Sequence, residues 1–439
     1  MKFDYLDFSN NGIIFPKFFH SLYSIDRKAY SSLEQEYDQY GKDITIALNE
    51  IKKRTTNDYY SKIIMAQTDA MCYSEYVFPT YKFIVSDSLW DDWLATIDPH
   101  KAYCRDHSLH QPLTAYIASK LLGGGNASKS IQLPNGDSLL SYCAKQMLES
   151  QQMRYLQDYF KELYPCYDQI DKRLHQKLAE DIFYETSVIA SIFHDIGYPW
   201  QYINRLSSSL KIADPEFASA IGRNIDSIVE IVCDRLLVFP YYGYSSVCKI
   251  RPLSTWKSNV KVLLDRAFRS THGFPGALGF TFLNDVVRCF PSDLTFNDAV
   301  FRFILDWAAV GIMMHDMSKI YRGNANQAGI SYFRLSFEKD PLSSLISICD
   351  ILEEFQRPQA EFNMVSNKLY VDYPCLCESS ELSISNRTIT ISYHFQDKKA
   401  ALLMKSFREE EVFNYLNPKD GYIDLSQMRI NNVVCSVLP

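Results

Sequence analysis

The chain has 439 residues, of which 47% are hydrophobic and 22% charged, a globular composition that excludes a disordered or collagen-like chain and predicts two or three domains. Its 45 Lys and Arg residues against 52 Asp and Glu residues give a net charge of −7, which argues against nucleic-acid binding because that function needs a basic surface. The 11 cysteines form no CxxC pair, so we expect reduced thiols rather than a zinc finger or a disulfide scaffold.

The sequence carries no sign of membrane targeting. Residues 1–12 include acidic side chains where a signal peptide needs an apolar run. The best apolar stretch, 304–314, is shorter than the ~20 residues of a membrane-spanning helix and contains Asp306. We therefore expect a soluble, cytoplasmic protein with no membrane partner.

Helical periodicity dominates the sequence from about residue 100 to 357. Residues 1–98 mix short apolar and polar runs, and we expect them to form a mostly helical extension of the main body. Further helices are predicted at 110–122, 147–164, 181–199, 273–290, 296–316 and 340–355. Asn297 or Asp298 is the expected N-cap of the helix at 296–316. An Asp-Pro pair at 340–341 is a typical helix start.

The glycine-rich segment GGGNASKS at 123–130 resembles a phosphate-binding loop only superficially. Ser128 stands where the phosphate-loop consensus requires glycine, and a helix rather than a strand precedes the segment. We therefore expect it to end the preceding helix and to form a loop.

The sequence period changes from helical to alternating after about residue 365. Strands are predicted at 368–373 and 381–395 with a hairpin turn at 385–387, followed by a helix at 398–416 and a return to strand within 421–438. The expected fold is therefore mainly α, with a small α+β accessory module at 365–439.

Histidine and aspartate residues stand at the ends of several apolar helices, where they occupy positions expected to be buried. In chain order they are His110, His194, Asp195, His272, His315 and Asp350. Buried polar groups need partners, and a mixed imidazole and carboxylate donor set suits Fe, Mn, Zn or Co. Each residue alone is more often structural, so the ordered set is what indicates a metal site.

The order H…HD…H…H…D resembles that of the HD superfamily of metal-dependent phosphohydrolases, with the doublet in FHDIGYP at 193–199. RDHSLHQPLTAYIASKLL at 105–122 looks like the first-ligand helix of that family. THGFPGALGFTFL at 271–283 looks like its middle helix, and DPLSSLISICDILEEFQRP at 340–358 looks like the helix that supplies the last aspartate. The resemblance implies an HD-type helical core at 99–360, with an insertion at about 123–180.

The resemblance also implies roles for the ordered residues. All six would be metal ligands, with Asp195 bridging two ions if His272 and His315 bind a second one. In family members with a single ion, the two middle histidines act as acid or base instead. The expected catalytic residues are therefore Asp195, His272 and His315. One or two divalent ions are expected, of Mn, Fe, Zn, Co or Ni, with Mg as a further candidate.

Two alternatives stay open within the pattern. His107 lies three residues before His110 and is a second candidate for the first ligand, although the apolar run fits the family helix better from His110. The doublet His315-Asp316 competes with 194–195 for the central position, but the flanking elements favour 194–195.

A phosphate substrate would need cations and a base-stacking wall near the ligands. The candidate substrate-binding residues, chosen for their closeness in sequence to the ligands, are Arg105, His107, Tyr198, Lys319 and Arg357.

The function implied by the resemblance is hydrolysis of a nucleotide phosphoester or phosphoanhydride. The expected type is a phosphodiesterase or a deoxynucleoside triphosphate hydrolase, in bacterial signalling or antiviral defence. The alternative from a different class is a non-catalytic nucleotide-sensing regulator, although a sensor has no need of six ligands that destabilise the empty protein. A nucleotide effector, a partner protein and a homo-oligomer are all compatible with the sequence.

Overall fold

The computed structural model describes residues 1–5, 107–149, 176–197, 271–277, 280, 296–317, 334–354, 356–363 and 368–439. Within these ranges the chain is mainly helical with a small sheet, which agrees with the predicted class. Of the helical extension predicted at 1–98, only residues 1–5 are described. Most of the helix predicted at 147–164 also lies outside the described residues.

Five helices form the body of the described chain. They are α1 His107–Leu121, α2 Leu139–Glu149, α3 Gln176–Phe193, α4 Phe296–Met314 and α5 Pro341–Leu352, and a further helical segment begins at Gly273. Helix α3 lies at the centre, against α1, α2, α4 and α5. It is buried on nearly every face, as its apolar composition predicts. The region predicted as an insertion therefore includes α2 and the first residues of this central helix.

Two helix starts differ in how well the sequence predicts them. The Asp340 carboxylate accepts a hydrogen bond of 3.1 Å from the Ser343 backbone N–H, and Pro341 opens α5, as predicted. Helix α4 begins at Phe296, so Asn297 and Asp298 lie in its first turn and the predicted N-cap is wrong. A cap must precede the first helical residue, and the apolar period does not locate that residue to within one position.

The glycine segment after α1 ends the helix, as predicted. Gly123 and Gly125 have φ values of +63° and +76°, in the left-handed region that glycine adopts without strain. Ser130 then folds back, and its hydroxyl donates a hydrogen bond of 2.8 Å to the carbonyl of Leu121 at the end of the helix. The segment therefore supplies a hydrogen-bond donor to a carbonyl at the end of α1 and does not form a phosphate-binding loop.

The sheet is built around one long strand. Its strands are β1 Lys2–Asp4, β3 Gln356–Asn363, β4 Lys368–Ser385, β5 Thr388–Phe395 and β7 Asn432–Leu438, and a separate two-stranded sheet pairs β2 Leu335–Ser336 with β6 Ile423–Asp424. The first half of β4 pairs with β3 and the second half with β5, both antiparallel. β1 pairs with the second half of β4 on the edge opposite β5. The continuous strand region before α6 thus begins at 356, earlier than the change of period predicted at about 365.

The connections of the sheet match the predicted elements. The turn between β4 and β5 has positive φ at Asn386 and Arg387, which is typical of a two-residue hairpin turn. Helix α6, Lys398–Leu416, then crosses over to place β7 parallel to β5, as a parallel pair requires. The predicted helix at 398–416 and the return to strand are therefore confirmed.

The sheet shares one hydrophobic core with the helical body. Phe3 and Tyr5, both fully buried, belong to this core, and β1 pairs Lys2 with Glu381. The first residues of the chain therefore join the C-terminal sheet, which the sequence analysis did not foresee. No helix in the described part of the chain is both long and apolar enough to cross a membrane.

Candidate metal centre

Five separated segments bring polar side chains to one buried point between the helices. The ligand-type residues gathered there, called the metal cluster below, are His110, His194, Asp195, His272, His315 and Asp350. Five of the six side chains are at most 6% exposed, and Asp350 is 18% exposed. All six ligand positions predicted from the sequence therefore converge.

The two His-Asp doublets end two core helices in the same way. His194 follows α3, and its Nδ1 lies 2.7 Å from the carbonyl oxygen of Ser191. His315 follows α4, and its Nδ1 lies 2.6 Å from the carbonyl oxygen of Ile312. Because a carbonyl only accepts, each Nδ1 carries the hydrogen, and in the neutral ring Nε2 is a free lone pair directed into the cluster.

The other two histidines are held from behind by carboxylates instead. His110, in the first turn of α1, contacts the Glu353 carboxylate through Nδ1. The Nδ1 of His272 lies 2.8 Å from the Asp316 carboxylate, which also accepts the His272 backbone N–H at 3.1 Å. Carboxylates in this position orient a ligating histidine and increase the basicity of the nitrogen that faces the metal.

Asp195 lies in the middle of the four imidazoles. One carboxylate oxygen, Oδ2, is 3.2 Å from Nε2 of His110. The other, Oδ1, is 2.8 Å from Nε2 of His272 and 3.6 Å from Nε2 of His315. Oδ1 also lies 3.4 Å from Nε2 of His194, so the carboxylate contacts all four histidines, which suits a ligand shared by two ions.

We divide the metal cluster for description into two halves that share Asp195. The His110 half consists of His110, His194 and Asp350, with Asp350 Oδ1 3.2 Å from His110 Nε2 and 3.7 Å from His194 Nε2. The His272 half consists of His272 and His315, whose Nε2 atoms are 3.0 Å apart. Ligand atoms of His110, His194 and Asp350 lie within 4.8 Å of one another, and so do those of His194, Asp195 and His315. Either group could hold a metal ion, and the second group combines His194 of the His110 half with Asp195 and His315.

The donor set fits a metal because imidazole nitrogens and carboxylate oxygens converge at one buried point. In each half two Nε2 atoms are 3.0 Å apart, those of His110 and His194 and those of His272 and His315. The Nδ1 atom of each of these four histidines faces an acceptor outside the cluster, either a backbone carbonyl or a carboxylate. Carboxylate oxygens add further acceptors at the same point. Buried acceptors need compensation, and a cation supplies it for all of them together.

Burial and the carboxylates set the protonation of the histidines. Burial lowers the pKa of His194 below its ordinary value, against the opposing effect of Asp195. Burial also lowers the pKa of His272, but Asp316 and Asp195 outweigh it and raise the pKa to about 9. The carboxylates beside His272 thus attract positive charge to that half of the cluster.

Two glycines permit the close approach of the segments that carry the histidines. A Cβ on Gly197, in the turn after the first doublet, would lie 1.8 Å from the carbonyl oxygen of His272. A Cβ on Gly273 would lie 2.6 Å from the carbonyl oxygen of Ile312 and 3.2 Å from Cε1 of His315. Side chains at these positions would force the backbones apart.

Gly273→Ala is therefore expected to push His272 away from His315 and to weaken metal binding in the His272 half. The overpacking should lower the free energy of unfolding by at least ~1–3 kcal/mol. Metal content and thermal unfolding of the purified variant test this. Gly136→Ala is the matched control, because its φ of +91° strains an alanine while the added Cβ meets nothing within 4 Å. Equal metal content in the two variants would contradict the expected role of Gly273.

The predicted substrate-binding residues are only partly placed. Arg105, Tyr198 and Lys319 lie outside the described residues. His107 and Arg357 lie in α1 and β3, but the description covers only their backbones. The prediction of these five residues therefore stays untested, whereas the preference for His110 as the first-ligand position agrees with its place in the cluster.

Sequence reasoning missed two residues at the back of the cluster, Asp316 and Glu353. Asp316 belongs to the second doublet, which was considered as a rival of the first, whereas the structure brings both doublets to one site. Glu353 lies three residues after Asp350, one helical turn further along. That spacing was a usable signal, but it did not identify His110 as the partner of Glu353.

The described residues thus form a buried cluster that could hold one or two metal ions, with the metal identity left open. Comparisons of the chain with protein-family models, with curated proteins and with solved structures give no match.

Proposed function

We propose that this protein is a metal-dependent phosphohydrolase of the HD type that hydrolyses a nucleotide phosphoester or phosphoanhydride. The observation that carries the proposal is the position of Asp195 between the two halves of the metal cluster. One of its oxygens is 3.2 Å from His110 Nε2, and the other is 2.8 Å from His272 Nε2. This is the arrangement needed for a carboxylate that joins two divalent ions.

The charge of the site suits divalent cations. Four carboxylates lie at or directly behind the cluster: Asp195, Asp316, Asp350 and Glu353. Their combined charge when ionised is −4, which two divalent cations would neutralise. Carboxylates concentrated in a buried site destabilise the fold unless such positive charge is present.

The proposed reaction is attack of water on phosphorus. A divalent ion held by these ligands would lower the pKa of water and offset the charge that develops on the phosphate. The chain's own residues orient the ligands: Asp316 and Glu353 fix the ring planes of His272 and His110 through their Nδ1 atoms. Asp350, the most exposed ligand, marks the side from which a substrate would approach.

The proposed substrate is a nucleotide, and a two-ion centre favours phosphodiester cleavage, with deoxynucleoside triphosphate hydrolysis as the other reaction type. Arg105, Lys319 and Arg357 remain the proposed phosphate-binding residues. His107 and Tyr198 remain the proposed contacts to the rest of the nucleotide.

Product analysis by chromatography tests the proposal. The purified chain with added Mn²⁺ is incubated with dNTPs, NTPs, cyclic mono- and dinucleotides and short oligonucleotides, alongside Asp195→Asn and a sample in EDTA. Turnover that requires both Mn²⁺ and Asp195 is expected. A nucleoside with triphosphate identifies a triphosphohydrolase, and a linear monophosphate identifies a phosphodiesterase. Nucleotide binding without turnover in any sample would contradict the enzyme and favour a nucleotide sensor.

A further inference from the structure

The end of helix α5 is held by the sheet. The Tyr393 hydroxyl, on β5, donates a hydrogen bond of 2.5 Å to the carbonyl of Ile351. The Tyr5 hydroxyl, next to β1, donates one of 2.5 Å to the carbonyl of Leu352. Carbonyls in the last turn of a helix have no partner within the helix, so two buried tyrosines satisfy groups that water cannot reach.

A buried ion pair extends this contact by two residues. Arg408, on α6, lies 2.8 Å from the Glu354 carboxylate, and both side chains are fully buried. The same guanidinium also contacts Glu411 in its own helix. A buried arginine that contacts two carboxylates compensates their charge in a site that water does not reach, so loss of the arginine would leave Glu354 as an unpaired buried charge.

Within the segment 350–354, residues that contact the metal cluster are interspersed with residues that contact the sheet or α6. Asp350 and Glu353 contact His110, whereas Ile351, Leu352 and Glu354 contact Tyr393, Tyr5 and Arg408. A change in the contacts with the α+β unit would therefore also move Asp350 and Glu353 relative to His110. The segment 350–354 is a short connection between the α+β unit and the cluster.

We infer that the C-terminal α+β unit is a positioning element of the metal centre, and that Tyr393 and Arg408 set the place of Asp350 and Glu353 without contacting a ligand. The inference rests on the proposed metal centre. On this inference the α+β unit, expected from the sequence to be an accessory module, has a structural role in metal binding.

The other half of the cluster has an anchor of its own. The Tyr422 hydroxyl donates a hydrogen bond of 2.7 Å to the carbonyl of Met314, the residue before His315. Tyr422 is fully buried and lies just before β6. The unit thus holds the two halves through separate residues, which makes the inference testable one half at a time.

The test is Mn²⁺ titration of the full-length protein by calorimetry. We expect Tyr393→Phe and Arg408→Lys each to raise the dissociation constant of one ion about tenfold, the lower end of the effect of outer-shell partners. Tyr422→Phe should affect the other ion. Tyr184→Phe is the matched control, because it removes a buried hydroxyl that pairs with Ser119 at 2.7 Å, away from the cluster. It should leave both constants unchanged.

Double variants assign each ion to its half. Combined with Asp350→Asn, Tyr393→Phe should cause no further loss, and combined with His315→Ala it should keep its full effect. Tyr393→Phe that lowers the melting temperature but leaves both Mn²⁺ constants at the wild-type values would overturn the inference alone. Wild-type protein that binds none of Mn²⁺, Zn²⁺, Co²⁺ or Ni²⁺ in the same titration would instead overturn the proposed metal centre.

Discussion

Replacing Asp195 by asparagine is expected to remove both bound ions and the turnover together. Asp195 lies within 3.6 Å of His110, His194, His272 and His315, so it contacts both halves of the metal cluster. An amide carries no charge and offers only one oxygen, so it cannot bridge two cations. The loss in affinity should exceed the roughly 10–100-fold that removal of an outer-shell partner causes.

The measurement is metal content by mass spectrometry after Mn²⁺ loading and gel filtration, followed by turnover of the best substrate. Asp181→Asn is the matched control, since Asp181 lies on the same helix with a 38% exposed side chain paired with Lys177. It should keep wild-type metal content and turnover, because an exposed i,i+4 pair contributes little. Retained metal with full turnover in Asp195→Asn would exclude the bridging role.

His315→Ala is expected to remove one ion and leave the other. The Nε2 of His315 is 3.0 Å from that of His272, and among the residues that the structure describes these two rings and the shared Asp195 make up the His272 half. Without His315, the described ligands of that half are reduced to His272 and Asp195, too few for a closed site. His110, His194 and Asp350 keep their contacts with one another.

Metal stoichiometry of His315→Ala tests this expectation, with circular dichroism to verify folding because His315 is fully buried. His394→Ala is the matched control, since it removes a histidine from β5 rather than from the cluster. Two ions in the control and one in His315→Ala would agree with a two-ion site. Unchanged stoichiometry in His315→Ala would make His315 an acid, a base or a structural residue.

Local patterns in the sequence predicted the elements that carry the ligands. The apolar period located α3 and α4, and each of these helices ends directly before a His-Asp doublet. The Asp-Pro pair at 340–341 located the start of α5, and the alternation near 381–395 located the hairpin. These signals succeed because helix periods, caps and turns depend on residues only a few positions apart.

The order of the histidines and aspartates was also readable from the sequence, but the function of their neighbours was not. Asp316 stood beside a predicted ligand and was assigned a competing role, whereas it lies behind His272, 44 residues away in sequence. Glu353 lies behind His110 across 243 residues. Nothing in the residue types alone distinguishes a carboxylate that binds metal from one that orients a histidine.

Only the tertiary structure decided how the two ends of the chain reach the site. Tyr5 and Leu352 are 347 residues apart in sequence, and Tyr422 and Met314 are 108 apart. The sequence by itself determined the helices that carry the ligands, the hairpin at 381–395 and the helix at 398–416, because local sterics and periodicity govern these elements. The pairing of a buried hydroxyl with a distant helix end follows instead from packing, which satisfies polar groups with whatever partner the fold brings near.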